Sequence, residues 1–402
     1  MVKSKVSIVS NRKNCAICQS PSMEEAINLP ELPLTGLYCT SKEELENLVI
    51  DQQLLVCVDC GHVQLKNIFN TGLIYDETYS FRTSESAKAK MGTQFFISVL
   101  DSLTKGKKFK CVLDIGCNDL YLLRQLADKA DKRIGIDPIW KGREDCREDK
   151  DIVVFGGKLE DVSSIVLKDL KPDLIVCRHT LEHIEDPRLI MDTLREISDD
   201  NALFLFEVPG FEAIIDKLRY DQIFHQHQQY FTVHSFKRLL IETGYSYLDH
   251  RLNYHDWGAT TFSFQKNRDT NKTYDSVTNV VFKSSEISKS YNIFKEYMIH
   301  INTLLSSLAD EEVYGYGAAQ MLPILAYHIG SDLSNIKVII DDDPAKRGLY
   351  YKNLPLKIEH SLSFESLEEK SFLITAPDNI VPILTKLFHK RPKRIIIPLQ
   401  YI

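Results

Sequence analysis

The chain reads as an α/β protein in which a small cysteine-rich module precedes two doubly wound units. Three observations lead there: paired C-x-x-C turns near the N-terminus, apolar strand runs alternating with helical stretches from Cys111 to Leu203, and a second such alternation after Glu312. Alternating strand and helix patterns build a parallel sheet with helices on its faces. With 402 residues and 44% hydrophobic side chains, the chain has material for several cores.

The N-terminal pairs are Cys15-Ala-Ile-Cys18 and Cys57-Val-Asp-Cys60, the second followed by Gly61. Two such turns supply four thiolates in tetrahedral arrangement, the chemistry of a closed structural zinc site with no open position for catalysis. Free thiols or a redox pair are the other readings of the same spacing. The gap between the pairs exceeds what a minimal zinc ribbon needs, so Leu29 to Leu55 is expected to form a small fold of its own. Cys39 reads as a small buried side chain and His62 as a surface residue of the knuckle. The module is placed at residues 1–72. Tyr75 to Ser86, polar and aromatic without a clear period, reads as a crossing to the next domain that can close over a site. A helix is expected from Lys88 to Thr104.

The central domain, residues 73–267, opens with Val112-Leu-Asp-Ile-Gly-Cys-Asn-Asp119 and then Arg133-Ile-Gly-Ile-Asp-Pro138. An apolar strand ends at Gly116, where a backbone without Cβ can turn closely around a ligand, and a helix pattern begins near Asp119. A second buried strand ends at Asp137, placed to accept hydrogen bonds from ribose hydroxyls. A dinucleotide site prefers three glycines, but Asn118 and Tyr121 hold the second and third places. The pattern therefore points to S-adenosylmethionine rather than NAD. Its candidate pocket comprises Asp114, Gly116, Asn118, Asp119, Asp137, Pro138, Glu160 near the adenine, and His179 at the mouth of the fourth strand with His183. Further strands are expected at Ile152, Leu174 and Leu203, then a closing hairpin over Tyr245–Leu252 and Ala259–Gln265.

The C-terminal unit, residues 268–402, starts with a polar helical stretch at about Asp275 to Leu308. Glu312-Val-Tyr-Gly-Tyr-Gly-Ala-Ala319 reads as a strand and glycine turn, with strands at Ile336–Ile340, Phe372–Thr375 and Arg394–Pro398. Gly315 and Gly317 allow a phosphate or sugar close to the backbone, although one G-x-G also serves as a plain tight turn. Formal net charge is -7 with Lys and Arg dispersed, so no footprint for a nucleic acid polymer is present. No apolar stretch reaches the roughly 18 to 20 residues of a membrane span, and Met1 to Cys15 lacks a signal peptide's apolar segment. A cytoplasmic location is expected; the oligomeric state is open, and a monomer fits.

Tyr220-Asp-Gln-Ile-Phe-His-Gln-His-Gln-Gln-Tyr-Phe231 is too polar for a core and too aromatic for an ordinary loop. It follows the fifth strand and so lies on the ligand side of the sheet. His225 and His227 point the same way if the segment is extended, and an imidazole suits general-base work near neutral pH. The pair can equally hold a loop together or take up an adventitious metal.

In order along the chain, the cysteine knuckles, Pro33-Leu34, Asp114-Ile-Gly-Cys-Asn-Asp119, the Asp221 to Phe231 run, Gly315-Tyr-Gly-Ala318 and Asp341-Asp-Asp-Pro344-x-Lys346-x-Gly348 resemble the nucleotide-sugar C-methyltransferases. That resemblance spans nearly the whole chain. It implies an N-terminal zinc module, a central S-adenosylmethionine domain and a C-terminal Rossmann-like domain that helps bind the nucleotide sugar. It also implies methylation at C3 of a 4-keto deoxysugar, typically dTDP-linked: His227 removes the C3 proton, and the enediolate attacks the methyl sulfonium. The match groups His225, Gln226, Tyr79 and His183 with His227 as catalytic. It sets Phe224, Tyr230, His255, Gly315, Tyr316, Gly317, Asp341 and Lys346 around the acceptor.

Several positions depart from the family pattern. Phe224 and Gln226 stand where tyrosine and glutamate are usual, removing a phenol and a carboxylate. His255-Asp-Trp-Gly-Ala259 replaces His-Gly-Gly-Ser, Leu120 takes the place of a glycine, and Thr375-Ala-Pro-Asp378 stands where Trp-Asn is common. Three readings fit: the C-methyltransferase with an altered sugar or proton relay, a sugar O-methyltransferase of the same fold, and a cofactor-binding homologue that has lost its chemistry.

Overall fold

The computed structural model describes all residues except 1, 2, 7, 70–81, 147, 148, 150, 163, 257, 268–280, 365 and 400–402. Its central sheet contains β1 (Phe109–Ile115), β2 (Ala130–Ile136), β3 (Ile152–Phe155), β4 (Leu174–Arg178), β5 (Leu203–Val208), β6 (Tyr245–Asn253) and β7 (Ala259–Lys266), in the order β3-β2-β1-β4-β5-β7-β6. Strands β1 to β5 run parallel, and β7 lies antiparallel between β5 and β6. Central parallel strands are covered on both faces, so they read as near-continuous apolar runs, as β1 does from Cys111 to Ile115. The strand order reverses at β1, which puts the switch-point crevice beyond the carboxyl ends of β1 and β4. The expected strands and hairpin all form.

Helix α1 (Ala87–Thr104) covers one face. Ser86 caps it by accepting from the Ala89 amide, and Lys105 ends it in the left-handed conformation at φ 51°.

The C-terminal unit is a second parallel sheet of β8 (Val313–Tyr316), β9 (Ile336–Asp341), β10 (Ile358–His360), β11 (Ser371–Ile374) and β12 (Arg394–Ile396), in the order β10-β9-β8-β11-β12. Strand β10 was not expected, because three residues of which only Ile358 is buried leave little pattern. Ahead of this sheet, α2 (Ser284–Ser306) buries Ile287, Tyr291, Phe294, Met298, Ile301 and Leu305 on one stripe. Each such side chain stabilises by roughly 1.5–3 kcal/mol when fully buried. The stripe belongs to a core that includes Ile27 and Leu29 of the N-terminal module together with Leu322 and Leu325 of the C-terminal unit.

The small fold expected between the cysteine pairs is an antiparallel sheet of Met23–Pro33 on Asn47–Cys57, followed by Val63–Leu65. This sheet does not close within residues 1–72. Its last strand is Gln229–Tyr230, which pairs antiparallel with Val63–Leu65 and lies at the end of the histidine run. No helix of the described residues is long and apolar enough to cross a membrane.

Candidate active site

The first strand of the central sheet ends in a tight turn whose main chain is fastened to the tip of β2. Gly116 N donates to Ile136 O at 2.8 Å, and Asn118 N donates to Asp137 Oδ2 at 2.9 Å. Asp137 Oδ1 accepts from Ile139 N at 3.0 Å. Each carboxylate oxygen keeps a further lone pair, so the acceptor set fits a nucleoside's ribose. Gly116 sits at φ 75°, and a Cβ there would lie 2.0 Å from Thr180 Oγ1. Asn118 and Leu120 also have positive φ, 44° and 67°. Leu120 thus holds the left-handed conformation that glycine adopts without strain, while its side chain is fully buried in one apolar cluster with Leu122 and Leu123.

Burial, and secondarily Asp137, pushes the Asp114 carboxyl up to about 8, against the pull of Arg178. Burial likewise raises Asp137, opposed by the amides of Ile139 and Asn118. Asp119 Oδ2 accepts from Ser84 N at 2.8 Å and Asn118 Oδ1 from Thr83 N at 3.2 Å, which ties the end of the crossing segment to the turn. Tyr79 and Trp257 lie outside the described residues. Pro138 begins a short helical turn capped by Asp137, and Glu160 is exposed.

At the end of β4, His179 adopts φ 47° and donates Nε2–H to Asp256 Oδ2 at 2.8 Å. Burial disfavours its charge, but Asp256, Glu182 and Glu207 hold its pKa well above the usual imidazole range. Arg178 completes this group, with Nε 2.8 Å from Glu207 Oε1 and Nη2 3.3 Å from Asp256 Oδ2. Asp256, rather than its neighbour His255, enters the network. His255 is exposed, its ring 6.2 Å from Phe95 of α1. Glu182, Glu207 and Asp256 carry no motif in the sequence that marks them for this network.

The histidine run is a turn, not an extended strand. His227 N donates to Phe224 O at 3.1 Å, so His225 and His227 diverge. His225 faces the N-terminal module: its Nε2–H donates to Leu32 O at 2.9 Å, and its ring lies edge-on to Phe69. Gln226 faces the same way, donating to Thr35 O at 3.2 Å and accepting from Thr35 Oγ1. An amide can donate to that carbonyl and an ionised carboxylate cannot, which accounts for glutamine there. The expected common side for the two imidazoles is therefore corrected.

His227 alone of this pair faces the central domain. Its ring lies 4.1 Å from Phe224, 4.8 Å from His183 and 6.3 Å from Tyr230. Burial first, then the neighbouring His183 and His179, holds its pKa well below the usual value. His183 Nδ1–H donates to Gln226 O at 2.9 Å, turning Nε2 inward. Tyr230 OH accepts from Phe224 N at 3.1 Å.

His62, expected at the surface, is fully buried and donates Nε2–H to Gln229 Oε1 at 3.0 Å. The pairing of Gln229–Tyr230 with Val63–Leu65 draws it inside. Cys39 is buried as expected. The four knuckle sulfurs converge, Cys15 to Cys60 and Cys18 to Cys57 each at 3.5 Å, too far for a disulfide and suited to ligands sharing one zinc.

In the C-terminal unit the β8 turn repeats the arrangement of the central one. Gly317 N donates to Ile340 O at 2.8 Å, Ala318 N donates to Asp341 Oδ2, and Lys346 Nζ reaches Ala318 O at 3.1 Å. Gly315 and Gly317 pack so closely that a Cβ would meet Ile339 at 2.2 Å and Ala376 at 2.3 Å. Tyr316 OH donates to Asp342.

Residues 89–250 match the family model described as "Methyltransferase domain", and residues 15–75 match the one described as "Putative zinc binding domain". The chain therefore carries an S-adenosylmethionine-dependent methyltransferase domain behind an N-terminal zinc-binding domain. More particularly, it resembles C-methyltransferases: NovU of Streptomyces niveus, a C-methyltransferase, is 20% identical over 266 residues, 64% of this chain and 61% of that protein. The chain thus spans about three fifths of that relative's length. Among solved structures, the N-methyltransferase NodS from Bradyrhizobium japonicum is 14% identical, covering 45% of this chain and 89% of that chain at a TM-score of 0.35. The 1,6-didemethyltoxoflavin-N1-methyltransferase of Burkholderia thailandensis is 13% identical, covering 44% and 78%, at a TM-score of 0.34.

Proposed function

We propose that the protein is a cytoplasmic C-methyltransferase that moves the methyl group of S-adenosylmethionine to carbon 3 of a nucleotide-linked 4-keto deoxysugar. The observation that carries this reading is a continuous contact path from the cofactor turn to a buried imidazole. Gly116 packs on Thr180, Thr180 immediately precedes the short helix holding His183 and accepts from its amide through the main-chain carbonyl at 3.0 Å, and the His183 ring meets that of His227. A base at that point stands beside the place where the methyl group is delivered, as in-line transfer requires.

The reading divides the work among residues 1–72, 73–267 and 268–402. Asp137, Asn118 and the Gly116 turn, with Asp114 and Asp119, hold the nucleoside and methionine ends of the cofactor, which supplies the methyl group when bound. His227 takes the C3 proton. Tyr79 is the donor assigned to the developing oxyanion, while His183, whose one N–H in the neutral ring is held by the Gln226 carbonyl, sets its ring beside His227. Phe224 packs at a tilt against His227 without offering a proton. The nucleotide is assigned to the β8 turn, where Gly315, Tyr316 and Gly317 stand with Asp341 and Lys346.

The test is incubation with label-bearing S-adenosylmethionine and a panel of nucleotide 4-keto sugars. Carbon-bound label, lost in His227→Ala while cofactor affinity stays within a few fold, is the expected result. Label on oxygen would replace this reading with a sugar O-methyltransferase. Intact cofactor binding with no transfer to any acceptor would leave a binding protein.

A further inference from the structure

We propose that Glu182, His183 and His227 form a binding site for a divalent transition-metal cation, distinct from the four-cysteine centre. The three ligand atoms lie within 4.8 Å of one another, and two of the three residues are buried. Glu182 is 1% exposed, and neither of its carboxylate oxygens has a hydrogen-bond partner among the described residues. Burying a carboxylate without hydrogen bonds costs several kcal/mol unless a cation compensates.

The geometry around that carboxylate is specific. Glu182 Oε1 is 3.9 Å from His183 Nε2 and 4.0 Å from His227 Nε2. Those separations are too long for hydrogen bonds. They approach the spacing of ligands sharing one ion: with metal bonds of about 2.0–2.2 Å, tetrahedral neighbours stand roughly 3.3–3.6 Å apart. A small inward movement of each side chain closes the difference.

The orientation of His183 matches the usual support of a metal-bound imidazole. Its Nδ1–H is held by the Gln226 carbonyl at 2.9 Å, which leaves Nε2 as the ring nitrogen on the Glu182 side. Gln226 is itself anchored on Thr35. The Glu182 backbone is held too, its carbonyl accepting from Gln228 N at 2.8 Å. The ligands therefore rest on a framework that is already fastened.

The neighbouring group of His179, Glu207 and Asp256 is closed in a different way. Arg178 and the charged His179 together balance its two carboxylates, with Arg178 Nη2 2.6 Å from Glu207 and 3.3 Å from Asp256. His179 Nδ1 approaches Glu182 Oε1 at 3.6 Å, but its other nitrogen is committed to Asp256, so it borders the proposed site as a flanking group.

Two imidazoles and one carboxylate favour zinc, iron(II), cobalt(II) or manganese(II) over magnesium or calcium, and leave positions open for an oxygen ligand. A bound cation engages the His227 Nε2 lone pair, so His227 serves as a base only in the cation-free protein. It also offers a Lewis acid to an acceptor oxygen. The site stands on geometry alone and goes beyond the methyltransferase reading, and its test uses neither cofactor nor acceptor.

The zinc-loaded protein is titrated with cobalt(II) and followed by absorption and metal analysis. Expected is one cobalt per chain, with weak ligand-field bands of nitrogen and oxygen ligation, no sulfur-to-cobalt charge-transfer band, and zinc retained. Glu182→Gln and His227→Ala should each weaken cobalt binding at least about 10-fold, in line with the loss of a metal ligand or its support, while His234→Ala binds as wild type. Zinc content and near-ultraviolet dichroism report that each variant is folded, and His183→Asn replaces any that is not. No cobalt uptake, uptake only with the sulfur band, or equal affinity in folded Glu182→Gln and His227→Ala overturns the proposal.

Discussion

Arg219 donates Nη1–H to Asp378 Oδ1 at 2.8 Å, joining the segment that follows β5 to the turn that follows β11. The rest of its guanidinium grips Asp221 through Nε at 2.7 Å and Nη2 at 2.8 Å. Arg219 is 1% exposed and Asp221 is 2% exposed, so this fork is a buried ion pair whose second arm ties two domains together. The Thr375-Ala-Pro-Asp378 departure from the family pattern thus has a structural partner. Asp378→Ala should leave the Asp221 fork intact and cost about 1 kcal/mol. Arg219→Ala strands a buried carboxylate and should cost about 3–5 kcal/mol. Urea unfolding of the two variants checks this, and equal losses would contradict it.

Removing zinc should disturb the histidine run rather than only the knuckle. Cys57 N donates to His62 O, and His62 reaches Gln229 on the strand that pairs with Val63–Leu65. Leu65 N also donates to Gln228 O. Chelation, or Cys60→Ser, should raise amide hydrogen exchange across 224–230 by about 10-fold or more, since local opening then costs less. S-adenosylmethionine affinity should fall only a few fold. Unchanged exchange in zinc-free protein would separate the two elements.

Much of this architecture was legible in the chain, for identifiable reasons. Strands β1, β4 and β5 are buried on both faces and therefore spell themselves as apolar runs, and the cysteine pairs carry their geometry in their spacing. The local turn at Phe224–His227 was not legible, because the alternation of His225 and His227 fits an extended strand equally well. Glu182 was missed for a physical reason: a glutamate in a polar stretch ordinarily faces water, and only the fold brings two imidazoles to it. The Gln229–Tyr230 strand was hidden because its partner Val63–Leu65 lies far away in the sequence, and two residues carry no period. Asp256 was passed over for the more reactive His255 beside it.

The ribose assignment rests on Asp137, which also fastens its own turn. Asp137→Ala removes acceptors for Asn118 N and Ile139 N as well as for a ligand. Each lost hydrogen bond to a charged group is worth about 1.5–3 kcal/mol, so S-adenosylmethionine affinity should fall at least about 10-fold. Asp137→Asn keeps one oxygen acceptor and should fall between that variant and wild type. Calorimetry giving the same affinity for all three proteins would remove Asp137 from the cofactor pocket.

Acid should loosen the C-terminal core through His328. Burial pushes its pKa down to about 3, with its ring packed against Tyr291, Phe294 and Tyr327. The folded-state value lies below the unfolded one of 6.5, so the unfolded chain takes up a proton first as pH falls. Its contribution is fully present above pH 6.5 and is lost as pH falls towards about 3. Within that window, one proton corresponds to a slope of about 1.4 kcal/mol per pH unit. His328→Leu should flatten the dependence of unfolding free energy on pH between 6 and 4 by close to this amount. An unaltered slope would place the acid sensitivity elsewhere.

The contact between Gly116 and Thr180 makes the cofactor turn testable by a paired substitution. Two separate costs meet at residue 116. Its φ of 75° is one that an L side chain adopts at roughly 1 kcal/mol, and its missing Cβ is the space that Thr180 fills. Gly116→Ala therefore places a methyl 2.0 Å from Thr180 Oγ1 and 2.9 Å from both Thr180 Cβ and Cγ2. The turn or the start of the following short helix has to move, at a further cost of about 1–3 kcal/mol. Thr180→Ala removes Oγ1 and Cγ2 but leaves Cβ, so it should relieve the steric part only. The double variant is then expected to recover between a third and two thirds of the stability lost in Gly116→Ala, with the backbone cost remaining. Thr180→Ala alone should be mild, because the bond from its hydroxyl to the Arg178 carbonyl at 3.0 Å is a local one. A double-variant cycle in thermal unfolding reads the coupling directly. Strict additivity of the two single losses would show that the β1 turn and the β4 end are not packed against each other, and would break the contact path from Gly116 to His227.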